Sequence, residues 1–439
     1  MSYKSKDRLT GSLFAELLPF GGKLNVNNRW IKMHDMIPWT DLEEIYRKYF
    51  SNLGRPGKDS QLINGLLIIK HQMVLSDEEV VELFLENPYV QYFCGYDQFV
   101  VSREIESSTL ARVRKRLGVE YFKKFEDEIL GILKSRKIIK DAEQMVDATV
   151  FPSNVTYPTD TGLLENVRQW VVEAIRKTKK EKGLKKKIRT YCRQARRVYL
   201  RFQKKRRHSE KEIKRTKKQL MQYVRRNIRQ LRDLLTDIKE IPQKTLRQVK
   251  DRLIVAEKIY LQQWTMMKNK ARSIEQRIVS FHRPEIRPIV RGKSGRDVEF
   301  GPKVSLSCVD GYLFLDKFSY EAYNEGVVLK EDIAEHKRKF NREPEAVITD
   351  KIYGNLENRK MLKEKGIKAS FVPLGRKCER LQEEGKWVRQ KQNERSEIEG
   401  KIGVAKVHYG LERVLYKNEE IGIRLGLLAM NLTTAMART

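Results

Sequence analysis

Hydrophobic and polar positions divide the chain into three patterns. To about residue 140 the apolar positions recur at helical spacing. Gln61–Val74 (QLINGLLIIKHQMV) is apolar nearly all round, as a helix buried on every side must be. Ser76 and Glu79 form a capping-box pattern that predicts a helix over Asp77–Leu85, with Pro88 just beyond it. Ser107 or Ser108 predicts the cap of a helix over Thr109–Leu117, stopped by Gly118. That helix carries Arg112, Arg114, Lys115 and Arg116. The arrangement fits helix-turn-helix reading of DNA, and equally a helical domain that ends in a basic helix.

From Leu163 to His282 the pattern stays helical, with Gly183 and Pro242 as breaks. One apolar series is Leu220, Val224, Ile228, Leu231, Leu235 and Ile238; a second runs from Leu246 through Leu253 and Ala256 to Met267. Spacings of three and four put each series on one helix face, so the two helices predict a hairpin about Pro242. The stripes either close that hairpin or offer a dimer surface.

After residue 140 a third pattern, of short β-runs, joins in. Glu143–Phe151 (EQMVDATVF) reads as a strand. Val298, Phe300, Pro302, Val304, Leu306 and Cys308 alternate on one face, followed by Asp310-Gly311 and a second alternating run, a hairpin signal. Helices are predicted over Glu331–Phe340 and Asn355–Gly366, strands over Glu345–Asp350 and Lys368–Val372, and a long helical stretch from Gln390. This order predicts an α/β domain, a mixed sheet flanked by helices, interrupted after its first strand by the helical block.

Composition sharpens this. The 439 residues carry 90 Lys+Arg against 58 Asp+Glu, a net charge of +32. Leu163–His282 alone holds 37 Lys+Arg and 11 Asp+Glu, a net +26, so about four fifths of the excess lies in a quarter of the chain. So dense a like-charged block repels itself unless a polyanion neutralises it, which points to nucleic acid. Lys185, Lys186, Arg193, Arg196, Arg197, Lys204, Lys205 and Arg206 are candidate phosphate contacts, as are Arg112 and Lys115. Cys94, Cys192, Cys308 and Cys378 lie far apart and never as CxxC, against a disulfide framework or zinc site. With no apolar run of membrane-spanning length and a polar N-terminus, the expectation is a cytoplasmic, nucleoid-associated protein without a membrane partner.

Asp147 and Asp350 sit within or end apolar strands, where a carboxylate is costly unless paired or metal-bound. Each alone reads as a loop cap; together they suggest a divalent-metal pair. Asp310 is explained by its turn, and Asp160 reads as a helix cap. Near the C-terminus Arg395, Glu399 and Lys406 share a helix face. That set suits a metal and a phosphate, or a surface ion-pair row.

These residues resemble a known family. Arg395, three residues, Glu399, six residues and Lys406 match the core of the signature around the catalytic glutamate of bacterial insertion-sequence D-D-E transposases. Gln392 departs from the Tyr of the fuller signature. Met145–Leu164, Thr349–Ile367, Ile398–Arg413 and Gly54–Tyr96 also resemble the family, so the likeness covers most of the chain in order. It implies an RNase H-like core over 141–162 and 283–439, an N-terminal helical, DNA-binding domain over 1–140 and a basic helical insertion over 163–282. It implies a catalytic, metal-binding triad of Asp147, Asp350 and Glu399, with Glu397 the rival glutamate, holding two Mg²⁺ ions for which Mn²⁺ substitutes. The implied activity is metal-dependent cleavage and strand transfer at an element's terminal inverted repeats. It acts on double-stranded DNA ends and target as a homodimer, without a small-molecule cofactor. The alternatives are an inactive or cleavage-only relative, or a basic structural protein of nucleic acid.

Overall fold

The computed structural model describes residues 19–51, 53–185, 187–236, 243–293, 296–372 and 379–439. Lys186, Ile238, Pro242 and Cys378 lie outside the described residues. The chain forms two units, one of residues 1–154 and 302–439 and one of residues 155–301.

Among its described residues the first unit has, before its first strand, the α-helices α1 (Arg29–His34), α2 (Trp39–Arg47), α3 (Ser60–Gln72), α4 (Asp77–Glu86), α5 (Pro88–Phe93) and α6 (Ser107–Ser135). Strand β1 (Glu143–Val150) follows. The second unit holds α7 (Asp160–Glu181), α8 (Cys192–Gln203), α9 (Glu210–Leu234), α10 (Gln243–Lys268), β2 (Pro288–Lys293) and β3 (Arg296–Phe300). The first unit then resumes with β4 (Lys303–Val309), β5 (Tyr312–Ser319), α11 (Glu325–Phe340), β6 (Ala346–Ile348), α12 (Leu356–Glu364) and β7 (Lys368–Ala369). It closes with α13 (Glu379–Glu394), α14 (Ser396–His408) and α15 (Glu419–Met436).

The sheet of the first unit is mixed and flanked by helices, in the order β5-β4-β1-β6-β7. β1 is antiparallel to β4 and parallel to β6. The β4–β5 turn takes positive φ at Asp310 (48°) and Gly311 (78°), as a two-residue hairpin with the right-handed strand twist requires. One hydrophobic cluster runs from α1–α6 through β4, β5 and α15, so the N-terminal helices and this face of the sheet share a core. A smaller cluster, with Val146, Leu329, Ile333 and Val347, covers the opposite face beneath α11 and α12.

The capping box of Ser76 and Glu79 forms as the spacing predicts. Gly118 leaves helical geometry (φ 69°, ψ −176°) as the sequence predicts, so α6 is two helical stretches that meet at a kink there. Leu110, Val113 and Leu117 before the kink and Tyr121, Phe122 and Phe125 after it are buried, so both stretches pack an apolar face into the core. Neither Ser107 nor Ser108 caps it; the cap position is Glu106, without a side-chain hydrogen bond. The run from Val298 is likewise two strands. It breaks at Gly301-Pro302, and β3 pairs with β2 while β4 joins the larger sheet.

In the second unit Leu220, Val224, Ile228, Leu231 and Leu235 are buried against Leu163, Leu164, Val167 and Val171 of α7, with Leu246, Leu253 and Ala256 of α10 in the same cluster. The two stripes therefore close inside this unit. Asp160 is no cap, since Thr159 caps α7 by accepting from the Gly162 N–H. Asp160 instead binds Lys217 (2.9 Å), Gln263 (2.9 Å) and Arg277 (2.6 Å), joining α7 to α9, α10 and the segment after it. Among the described residues no helix is long and apolar enough to cross a membrane.

Candidate active site

Strand pairing brings the two aspartates level. The last paired rung between β1 and β6 is Met145 with Ile348, and two residues beyond it on each chain stand Asp147 and Asp350. The two strands are neighbours, so both positions fall at the same end of the sheet. Asp147 is half-buried and accepts from the Ala148 N–H at 2.9 Å. Burial pushes its carboxyl above the usual range; Arg395 opposes the rise, while Glu325 and Glu399 add to it. Asp350 is exposed and accepts from the Lys351 N–H at 2.6 Å, which caps the short 3-10 helix Lys351–Tyr353.

Helix α14 runs beside β1 in a matching order. Glu397 lies near the β4–β5 turn, where a Cβ on Gly311 would meet its Oε1 at 3.2 Å. Burial pushes the nearby Cys308 thiol up to about 12, and the Glu397 charge adds to that. Glu399 is next, within electrostatic reach of Asp147 and 2.8 Å from Arg395. Lys406 follows, its Nζ 3.0 Å from Thr149 Oγ1 and 5.5 Å from the Phe151 ring. The α14 rise from Glu397 to Lys406 is about 13.5 Å at 1.5 Å per residue. Four residues of β1 cover a similar length at about 3.3 Å each, so the two elements keep step.

Arg395, Glu399 and Lys406 thus fall on the β1 face that carries Asp147, and Glu397 sits nearer the turn. Glu325 is the carboxylate that sequence reading missed. It opens α11 behind the Asn324 cap, pairs with Lys303 (2.8 Å) and raises the Asp147 carboxyl. Nothing in its local sequence distinguishes it from an ordinary first-turn acid. Asp332 was missed too, although it interrupts the apolar face of Val328, Leu329 and Ile333. It is fully buried behind β1, and burial beside Asp316 pushes its carboxyl well up.

Among the described residues no three His, Cys, Asp or Glu side chains converge tightly enough to form a metal cluster. The donor set still suits a hard cation: all-oxygen ligands, with the Asp147 carboxyl raised chiefly by burial.

The basic candidates divide by environment. Arg112 and Lys115 are exposed on α6. Arg114 is not available, because it grips Asp77 (2.6 Å) and lies 4.7 Å over the Tyr416 ring. α5 and α6 are separated by thirteen residues, far more than the turn of a helix-turn-helix. In the second unit Lys185, Arg193, Arg196, Arg197, Lys204, Lys205 and Arg206 are all exposed, Lys205 pairing with Glu212.

Residues 19–116 match the family described as Transposase domain (DUF772), and residues 347–436 match Transposase DDE domain. A Rhizobium meliloti protein, "Uncharacterized protein ORF8 in nfe locus", is 32% identical over 157 residues, 35% of this chain and 76% of that protein. No solved structure matches the chain.

Proposed function

The chain belongs to the DDE transposases of insertion sequences, and from that premise we propose that it cuts and joins DNA at the ends of its element through Asp147, Asp350 and Glu399. One observation supports this: Asp147 and Asp350 each follow the last β1–β6 rung by two residues, and Glu399 lies within electrostatic reach of Asp147. The strand order, with β1 central between antiparallel and parallel neighbours, supports an RNase H-like core.

Asp147, Asp350 and Glu399 would hold Mg²⁺, or Mn²⁺ in its place. The bound cation supplies Lewis-acid polarisation of the scissile phosphodiester and activation of the attacking hydroxyl. The rest is positioning and charge neutralisation by the protein. Arg395 holds Glu399 at 2.8 Å and offers its remaining N–H groups to a phosphate. Lys406, fixed beside Thr149, adds a second cation along β1. The exposed cations of the second unit follow the DNA backbone, and Arg112 and Lys115 contact it from α6. Two ends joined in one event require a dimer on DNA.

The test is cleavage of a labelled duplex carrying the element's end, with Mg²⁺, followed by a strand-transfer assay. Asp147→Asn, Asp350→Asn and Glu399→Gln should bind this DNA and fail to cut, whereas Glu397→Gln should cut. A Glu399→Gln protein that still cuts would refute the triad. Cleavage without joining would leave a nuclease.

A further inference from the structure

We propose that the cleft between the 53–58 segment and the first turns of α6 seats backbone phosphates of the DNA end. This rests on the transposase reading above. The cleft measures about 330 Å³. Its rim carries four cations, Arg55 and Lys58 from the segment and Arg112 and Arg116 from α6, and its floor is Phe50 and Val113. No residue described as lining it is acidic.

The cations are set in place before any ligand arrives. Arg112 donates to the Ser108 carbonyl (3.3 Å) and Thr109 Oγ1 (2.9 Å). Arg116 donates Nε to the Tyr49 carbonyl (2.9 Å) and lies 4.9 Å over the Phe50 ring. A guanidinium has five N–H donors, so each keeps others for the cleft. Lys58 has a loose partner in Glu104 at 3.7 Å, and both are more than a third exposed, a pair worth little. Four positive groups around one concavity repel until an anion enters.

Shape decides between anions. The volume sits at the low end of small-molecule sites, roughly 300 Å³ and up, and exceeds what one phosphate fills. A phosphodiester with its sugar suits it, the sugar resting on the apolar floor. A free base finds no stacking platform, because Phe50 is 9% exposed and Arg116 covers it. The contact is therefore with backbone and carries no base preference.

The experiment uses the full-length protein and a fluorescent duplex bearing the element's end. Anisotropy titrations over a KCl series compare wild type, Arg55→Ala/Lys58→Ala and a distant control, Lys330→Ala/Lys337→Ala. Arg55, Lys330 and Lys337 are exposed and Lys58 is half-buried with its side chain 38% exposed, so folding should persist, and melting curves check it. The slope of log Kd against log salt should fall by about 0.9 per lost phosphate contact, hence by about one to two in the cleft variant and not in the control. Calorimetry with inorganic phosphate and with a mononucleotide separates small anions from DNA. Cleft-dependent binding of either with an unchanged DNA slope overturns the proposal, as does an unchanged slope alone. If wild type fails to bind the duplex, cleft and transposase reading fall together. If it binds and cuts while the cleft variant keeps its slope, the cleft alone falls.

Discussion

The Gln392 side-chain amide donates to the Thr349 carbonyl at 2.9 Å, one residue before Asp350. The same nitrogen lies 2.9 Å from the Ser370 carbonyl and 3.0 Å from Ser370 Oγ, so it ties α13 to the ends of β6 and β7. Both partners are buried, and a buried carbonyl left unpaired costs about 1–3 kcal/mol. The residue that departs from the family signature is thus a clamp beside a proposed ligand.

Gln392→Ala should therefore loosen Asp350 without touching DNA binding. Loss of a group that orients a ligand weakens metal affinity roughly 10–100-fold. The Mg²⁺ concentration for half-maximal cleavage should rise by that order while Kd for the DNA end stays put. Gln392→Glu should do the same, since a carboxylate cannot donate to two carbonyls. Unchanged Mg²⁺ dependence in both would refute the clamp.

Asp147 should cost the fold stability at neutral pH. Its folded carboxyl is raised by burial, with Glu325 and Glu399 adding. A raised folded value means that its contribution is present below the unfolded pKa and is lost as pH rises through the folded one. Asp147→Asn should then melt at a higher temperature than wild type at pH 7, the gap closing toward pH 4. Glu325→Gln removes one neighbouring charge and should move the acid limb of the cleavage profile to lower pH. A lower melting point for Asp147→Asn at pH 7 would argue against an uncompensated carboxylate.

His71 gives a pH dependence of the opposite sign. It is buried between the Tyr409 carbonyl (2.9 Å), to which Nδ1–H donates, and the Tyr416 hydroxyl (2.7 Å), from which Nε2 accepts. Burial pushes it down to about 4, helped by Lys70 and Arg114 against the pull of the Tyr409 carbonyl. The unfolded chain binds the extra proton first, so this stability is complete above about pH 6.5 and lost as pH falls toward 4. The loss is at most about 3 kcal/mol. Urea midpoints between pH 6.5 and 5, before most carboxylates titrate, should fall more steeply for wild type than for His71→Gln.

The elements legible in the sequence were those whose signal is local. The α3 run, the Ser76–Glu79 box, β1 and the Asp310-Gly311 turn are each written in a few adjacent residues. Asp147 and Asp350 stood out because a carboxylate in an apolar strand is anomalous wherever the strand lies. Glu325 and Gln392 did not show their roles, because the fold alone brings α11 to β1 and α13 to the ends of β6 and β7. Phe300 and Val304 keep the same alternating phase across Gly301-Pro302, so two strands of different units read as one. Arg114 looked like its exposed neighbours until Asp77, thirty-seven residues away, was found to hold it.

Asp160 shows how far a local reading can miss and still mark an essential residue. Burial pushes its carboxyl up, but Lys217, Gln263 and Arg277 outweigh that and hold it below the usual range. Removing its charge leaves Lys217, 11% exposed, and Arg277 facing each other unpaired. Breaking a buried pair costs about 3–5 kcal/mol; with Asp160 28% exposed, about 1–3 kcal/mol is the appropriate scale. Asp160→Asn keeps the shape and the Gln263 contact yet loses the charge. Its amides over α7, α9 and α10 should exchange faster with deuterium while those of β1, in the other unit, keep their protection. Because the exposed cations of α8 depend on this scaffold, DNA affinity should drop with the protection. Uniform loss across both units would show instead that the two unfold as one.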